Sequence, residues 1–169
     1  MSLELKNAEY ASERMSQSVL RILQAVELCS IATVGANDDG YINTAFFCYT
    51  PSLDFYFVSD TETIHSQNIA RSPKIAIAVF DTHQPWGEPV RGLQLFGDCH
   101  LANALESAMA LKTHAARFHA YGDYMRALSP LERDKSPYRF YLFRPTTLKI
   151  ADEAEFGEEC FITADIIRS

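Results

Sequence analysis

The feature that most constrains this chain is a succession of short apolar segments with the two-residue period of β-strands. Residues 53–58 read LDFYFV, in which Leu53, Phe55 and Phe57 alternate with the other side chains. Such alternation is typical of a strand with one buried face. Two further β-rich runs come before it, on either side of the turn sequence GANDDG at 35–40. Three short strands joined by short turns predict a meander, which favours an antiparallel sheet.

Three helices and three more strands are predicted around this meander. Apolar residues at helical spacing mark the opening segment, a short helix follows the third strand and stops at Pro73, and a longer helix opens at a capping box of Asn103 and Glu106 and runs to about His119. The additional strands are KIAIAVF, RGLQLFGDCHLA and YRFYLFRPTTLKIA. Because strands outnumber helices and mostly follow one another, we predict a mainly β, α+β fold: a six-stranded antiparallel barrel with flanking helices.

Length and charge limit the domain count and the class of partner. The 169 residues fit one domain, which we divide into an N-terminal helix at 1–27, a barrel with inserted helices at 28–152 and a C-terminal tail at 153–169. The formal net charge of −7 argues against nucleic-acid or anionic-membrane binding, because both need a basic surface. The chain shows neither a signal-peptide core nor a run of about 20 apolar residues, so we expect a cytoplasmic protein with reduced cysteines.

Several classes of site lack their local motifs. The sequence contains no pair of histidines at helical spacing, no pair of cysteines at zinc-knuckle spacing, no phosphate-binding glycine loop and no nucleophile elbow. We therefore expect no metal site, and neither triphosphate nor Rossmann dinucleotide binding.

One junction carries the residue types of an anion site. A strand ending near Ser59 runs into a helix start with Thr61 and Thr63, and His65 follows one turn later. Hydroxyls and unpaired N–H groups at a helix N-terminus are the groups that hold a phosphate. The same residue types also cap helices that bind nothing, so the local sequence leaves both interpretations open.

Aromatic residues form a second candidate feature. The chain has 11 Phe, 8 Tyr and one Trp, concentrated in the strands, where they fill a barrel core or line a pocket for a flat ring. Trp86 differs because it lies in a loop rich in Pro and Gly. There it would cover a ligand, contact another subunit or pack over the rim of the barrel.

The order of elements resembles the flavin-binding split-barrel family related to pyridoxamine 5′-phosphate oxidase. The resemblance extends from about Ile22 to about Asp152, and its most specific part is a strand, a phosphate-type turn, a short helix with Asn68, Pro73 and another strand. The segments that carry it are CSIATV, GYINTAFFCYT, LDFYFVSDTETIHSQNIARSPKIAIAVF, VRGLQLFGDCHLA and FYLFRPTTLKI. Within the family, the chain looks most like the small uncharacterised members.

The resemblance implies a homodimer that binds flavin mononucleotide (FMN) at the subunit interface. It also implies a flavin-dependent oxidoreductase for a small molecule, without identifying a catalytic side chain. In the family, the second strand offers backbone groups to the flavin ring, and the segment after the third strand holds the phosphate. Gln94 matches a position that reaches the cofactor, and Trp86 would lie near the ring or the partner. Carried over, the cofactor-binding residues are Asn43, Thr44, Ala45, Phe46, Ser59, Thr61, Thr63, His65, Trp86 and Gln94.

His65 departs from the family pattern, which commonly has Lys or Arg at this position. An ordinary imidazole has a pKa of about 6.5 and is mostly neutral at pH 7. We therefore expect weaker and more pH-dependent flavin binding than in a relative with Lys. The alternatives are an apo protein, a deazaflavin in place of FMN, and a non-catalytic dimer that carries or senses flavin, haem or another flat anion.

Overall fold

The structure of the protein is a computed structural model that describes residues 3–168, without the side chains of residues 130, 133 and 134. Eight strands are present in this range: β1 Glu4–Lys6, β2 Leu28–Val34, β3 Gly40–Tyr49, β4 Phe55–Asp60, β5 Lys74–Phe80, β6 Arg91–Leu101, β7 Tyr138–Asp152 and β8 Phe161–Ile167. The helices in the same range are α1 Ser12–Ala25, α2 Ile64–Arg71, α3 Ala104–Arg117, α4 His119–Ala127, α5 Pro130–Lys135 and α6 Glu153–Phe156. None of these helices is long and apolar enough to span a bilayer.

Six of the strands close into an antiparallel barrel. They follow one another in the order β7, β4, β3, β2, β5 and β6, and β6 pairs back with β7. All of these pairings are antiparallel. Outside the barrel, β8 pairs with β7 and β1 pairs with β8. The predicted six-stranded barrel with flanking helices is confirmed.

The barrel core is built from alternate strand residues and one face of α1. Phe55, Phe57 and Phe143 are fully buried inside it, as are Met15 and Leu23 of α1. A smaller cluster of Cys48, Tyr56, Ala110 and Leu142 lies between the outer face of the barrel and α3. Most of the strand aromatics therefore serve as core, as burial of apolar area requires.

Both ends of the chain differ from the sequence prediction. Residues 4–6 form β1, although the segment 1–27 was expected to be one helix, and α1 begins only at Ser12. The expected tail contains β8, whose Ile166 lies opposite Leu5 of β1. A three-residue strand is too short to show a period, and its apolar side chain becomes buried only once the distant partner is in place.

The segment between β6 and β7 is more helical than predicted. The capping box is present, since Asn103 Oδ1 accepts from the Glu106 N–H at 3.0 Å and the Glu106 side chain accepts from the Asn103 N–H at 3.0 Å. The helix it opens, α3, ends at Arg117. The separate helices α4 and α5 follow, the second of them in the stretch 129–137 that was expected to be a polar connector.

Candidate functional site: a cleft between two diverging strands

β3 and β4 diverge along their length and open a cleft. β3 pairs with β2 over residues 40–46, but with β4 only over residues 47–49. β4 continues beyond Phe57 paired with β7 alone. In an antiparallel strand, alternate residues direct their N–H and C=O groups to opposite sides. Along residues 41–46, the groups directed away from β2 therefore meet no described strand and are available to a ligand.

The N-terminus of α2 lies at the far end of this cleft. β4 ends at Asp60, and Thr63 occupies the N-cap position of the helix. The backbone N–H groups of Ile64, His65 and Ser66 have no acceptor among the described residues, as is usual for a first helical turn. Together with the helix dipole, they make the turn before α2 favourable for an anion.

Ser59, Thr63 and His65 meet at this turn, as the anion-site interpretation predicts. Ser59 Oγ lies 2.6 Å from His65 Nε2 and 3.3 Å from Thr63 Oγ1. Thr63 Oγ1 lies 3.1 Å from the same ring nitrogen and 2.9 Å from Ser66 Oγ. Ser66 also donates to the carbonyl of Asp60 at 2.8 Å. Sequence reasoning missed Ser66, although its position one residue after His65 places it in the same helical turn.

His65 is held in a partly buried position beside β3. Its ring stacks on that of Tyr41, with centroids 6.4 Å apart and planes 20° apart, so α2 and the unpaired edge of β3 meet here. Its Nδ1 is buried with no hydrogen-bond partner among the described residues. Burial lowers the pKa of His65 below its ordinary value, because a desolvated imidazolium is disfavoured. A bound anion would raise that pKa again.

The predicted β3 residues are divided between the two faces of the strand. Ala45 packs against the barrel core, and Asn43 lies on the same side with a buried Oδ1 that has no partner among the described residues. Thr44 and Phe46 lie on the outer face and are exposed. A buried amide oxygen without a donor is uncommon, and it marks the cleft side of β3 as a place where a ligand donor fits.

Gln94 shares the outer face with Thr44. The strand register places Gln94 opposite Ala78, Ala78 opposite Ser30, and Ser30 opposite Thr44. This row crosses four strands, and only the small side chains of Ser30 and Ala78 lie between its ends. Ser30 and Ala78 were not predicted as site residues, and their placement depends on the register between strands.

Thr61 and Trp86 do not join these contacts. Thr61 lies in the turn between β4 and α2 and forms no side-chain hydrogen bond with a described residue. Trp86 lies in the loop between β5 and β6, is 100% exposed, and lines a shallow depression with Glu88, Glu153 and Glu159. None of the other predicted site residues lines that depression.

No metal centre is found among the described residues, and three of the four cysteines are not activated thiols. No group of three or more His, Cys, Asp or Glu side chains converges there. Burial raises the pKa of the Cys29 and Cys48 thiols to about 12, and that of Cys99 further still. These three cysteines are packing residues and are protonated at neutral pH.

The cleft and barrel agree with a comparison of the sequence with known families. The family described as pyridoxamine 5′-phosphate oxidase matches residues 15–151. The chain belongs to this family. No curated protein matches the chain in sequence.

Solved structures of the same fold are only distantly related in sequence. A heme binding protein from Mycobacterium smegmatis has a TM-score of 0.68 at 15% identity, over 85% of this chain and 55% of its own. HutZ from Vibrio cholerae, described as a heme storage protein, has a TM-score of 0.61 at 13% identity, over 76% of this chain and 88% of its own. A putative pyridoxamine 5′-phosphate oxidase from Listeria innocua has a TM-score of 0.60 at 14% identity, over 79% of this chain and 95% of its own. The chain thus spans about half the length of the Mycobacterium smegmatis protein.

Proposed function

We propose that the protein binds FMN in the cleft between β3 and β4. The observation that carries this proposal is the unpaired edge of β3 at residues 41–46, which meets the N-terminus of α2 through the stacked rings of Tyr41 and His65. A strand edge suits the polar rim of a flat heterocycle, and the helix start suits a phosphate. FMN carries both groups in one molecule, and membership of the family supports the same cofactor.

The phosphate would be held by the first turn of α2 and the side chains beside it. The hydroxyls of Ser59, Thr61 and Thr63 would donate to phosphate oxygens, and His65 would add a positive charge once protonated. The flavin ring would lie along the backbone of residues 43–46. Gln94 lies three strands from Thr44, or about 14 Å at the usual strand spacing, so it would reach a flavin only across the interface of a dimer. When bound, FMN supplies hydride and electron transfer, while the protein binds, orients and shields it.

A second copy of the chain would complete this site. The outer face of β2, β3, β5 and β6 exposes large apolar side chains, which soluble proteins seldom leave bare in one contiguous patch. Leu28, Ile42, Phe46 and Phe96 are the exposed members of this patch. We therefore propose a homodimer through this face, with the cofactor at the subunit interface.

Flavin titration of the purified protein tests the cofactor and the phosphate position. The double variant Thr63→Ala/His65→Ala should bind FMN at least about tenfold more weakly, or roughly 1.4 kcal/mol. The matched control is Thr113→Ala/His83→Ala, which removes one half-buried Thr and one exposed His from other parts of the chain. Equal FMN affinity in both double variants would show that the phosphate is not held at α2.

Reduction of the bound flavin by an electron donor distinguishes an oxidoreductase from a non-catalytic carrier. A flavin-dependent oxidoreductase should lose its visible flavin absorption when a nicotinamide donor is added without oxygen. A protein that holds FMN without being reduced by any donor acts as a carrier or sensor. For an enzyme, we propose a small-molecule substrate, as the family resemblance implies.

Haem binding is the second candidate function. Two proteins of the same fold are described as heme-binding or heme-storing, and the row from Thr44 to Gln94 has only small side chains between its ends, which suits a planar ring. The absorption spectrum decides between the two cofactors. An intense Soret band after addition of haemin, together with no thermal stabilisation by FMN, would replace the flavin proposal with this one.

A further inference from the structure

A cavity of about 360 Å³ lies on the opposite side of the barrel from the proposed dimer face. Its floor is the outer face of β4 and β7, where Val58 and Phe140 lie in register. Its roof comes from α3 and α4 and from the chain that joins them to β7. The volume falls within the range of about 300–1,000 Å³ that is usual for small-molecule sites. The proposed dimer leaves its entrance open, because β4 and β7 do not belong to the apolar patch.

The walls of the cavity are mainly aromatic. Tyr121, Tyr124, Tyr138 and Phe140 all line it, with apolar contributions from other side chains. Behind this wall, the buried ring of His114 packs against two of the lining rings, with centroids 4.3 Å from Tyr121 and 5.9 Å from Phe140. Packing thus holds Tyr121 and Phe140 in place, as a preformed wall for a flat apolar group requires, whereas Tyr124 and Tyr138 are exposed at the mouth of the cavity.

The polar groups of the cavity lie at its edge. Arg139 lines the cavity, and its guanidinium donates to the carbonyls of Ser136, another lining residue, and Tyr138. Arg139 forms no ion pair with any carboxylate that the structure describes. The hydroxyl of Ser107 is a further polar group in the lining. One guanidinium with neutral hydroxyls matches a ligand with a single negative charge.

We propose that this cavity is a second ligand site, separate from the cleft, for a planar aromatic carboxylate. The ring would lie among the four aromatic side chains, and the carboxylate would accept hydrogen bonds from Arg139. The arrangement differs chemically from the cleft, where hydroxyls and helix N–H groups match a phosphate. The proposal does not depend on the cofactor, since no residue of the hydroxyl cluster at α2 lines the cavity.

Calorimetric titration of the full chain with naphthoate tests this site, and naphthalenemethanol serves as the uncharged probe of the same ring. Naphthoate should bind with a dissociation constant below about 1 mM, as a well-fitting ligand of this size can reach. Arg139→Gln should lower the affinity for naphthoate at least fivefold and change the affinity for naphthalenemethanol less than twofold. The control Arg126→Gln removes an exposed arginine of α4 that pairs with Asp123. It should change the affinity for neither probe. Met125→Trp, which fills the cavity from its wall, should weaken both probes.

Three results would overturn the proposal. The first is an absence of naphthoate binding up to about 10 mM. The second is an equal loss of affinity in Arg139→Gln and Arg126→Gln, which would indicate general charge attraction. The third is weakened naphthoate binding in Thr63→Ala/His65→Ala or its displacement by FMN, which would place the probe in the cleft. A cooperative thermal unfolding transition shows that each variant is folded. If Met125→Trp does not fold, the comparison of Arg139→Gln with Arg126→Gln still tests the proposal.

Discussion

At the scale of single residues, His114 links the packing of the helices to pH. It is 5% exposed, and three aromatic rings surround it, those of Phe118, Tyr121 and Phe140. Burial, and secondarily the charge of Arg117, lowers the pKa of His114 to about 4. The unfolded chain has the ordinary value of about 6.5. Between these two values the unfolded state binds a proton that the folded state does not, so stability falls as the pH falls through this window.

We expect the titration of His114 to lower the free energy of unfolding by about 3 kcal/mol as the pH falls from 6.5 to 4. Above pH 6.5 the imidazole is neutral in both states and contributes no pH dependence. His114→Leu should therefore have a flatter stability curve over this window than the wild-type protein. Urea denaturation at several pH values measures both curves, and titrations common to both proteins cancel in the difference. Parallel curves would show that His114 is accessible to protons in the folded state.

At the scale of secondary-structure elements, the pairing of β6 with β7 depends on one glycine. The register shifts between Phe96 and Gly97, so that Gly97 lies opposite Pro145 and Thr146 is left out of the ladder. A Cβ added at Gly97 would overlap the carbonyl oxygen of Arg144 and lie 2.6 Å from Pro145 Cα. Both are backbone atoms, which cannot rotate away as a side chain can. The absence of a side chain thus permits β7 to continue through a proline as one strand.

Gly97→Ala should destabilise the protein by about 2–3 kcal/mol, because the two longest strands must move apart to admit the methyl group. Gly40→Ala is the matched control in another strand, since a Cβ there meets no atom within 4 Å. Chemical denaturation of both variants measures the difference. Equal stabilities would show that the bulge relaxes without cost and that the close approach of the strands is unimportant.

The sequence predicts those elements whose signal is local. The alternation in residues 53–58 and the capping box of Asn103 each lie within a few residues, and both predictions match the structure. The cluster of Ser59, Thr63 and His65 is predictable in the same way, because these side chains surround one helix start. β1 escapes prediction because its partner β8 lies more than 150 residues away. β8 pairs with the nearby β7 as well, but its sequence indicates only a short apolar tail. The divergence of β3 from β4 is equally non-local, since it is a property of the register between strands.

At the scale of the whole molecule, the two sides of the barrel have different surroundings. α3 and α4 cover the side of β4 and β7, and α3 also covers the end of β3 near Cys48, whereas the remaining outer face of β3 and that of β2, β5 and β6 expose apolar side chains such as Ile42 and Phe96. Two rows of side chains in strand register cross this face from β3 to β6. One runs from Thr44 to Gln94, and the other runs from Ile42 through Ala32 and Ala76 to Phe96. The first row is polar at both ends, whereas the second is apolar throughout and suits a surface that packs against its own copy.

A charge at the Ile42 end of the apolar row should prevent the dimer. Ile42 is 67% exposed in the single chain, and in a two-fold dimer Ile42→Lys would place two ammonium groups in the same apolar interface. We expect a dimer for the wild-type protein and at least about a hundredfold weaker self-association for Ile42→Lys, or roughly 3 kcal/mol. Leu105→Lys introduces the same charge at an 82% exposed position on α3 and should remain dimeric. Sedimentation velocity across a concentration series measures all three proteins. If the cofactor lies at the interface, Ile42→Lys must also bind FMN more weakly. A wild-type protein that is monomeric and still binds FMN would show that the cleft binds the cofactor without a dimer.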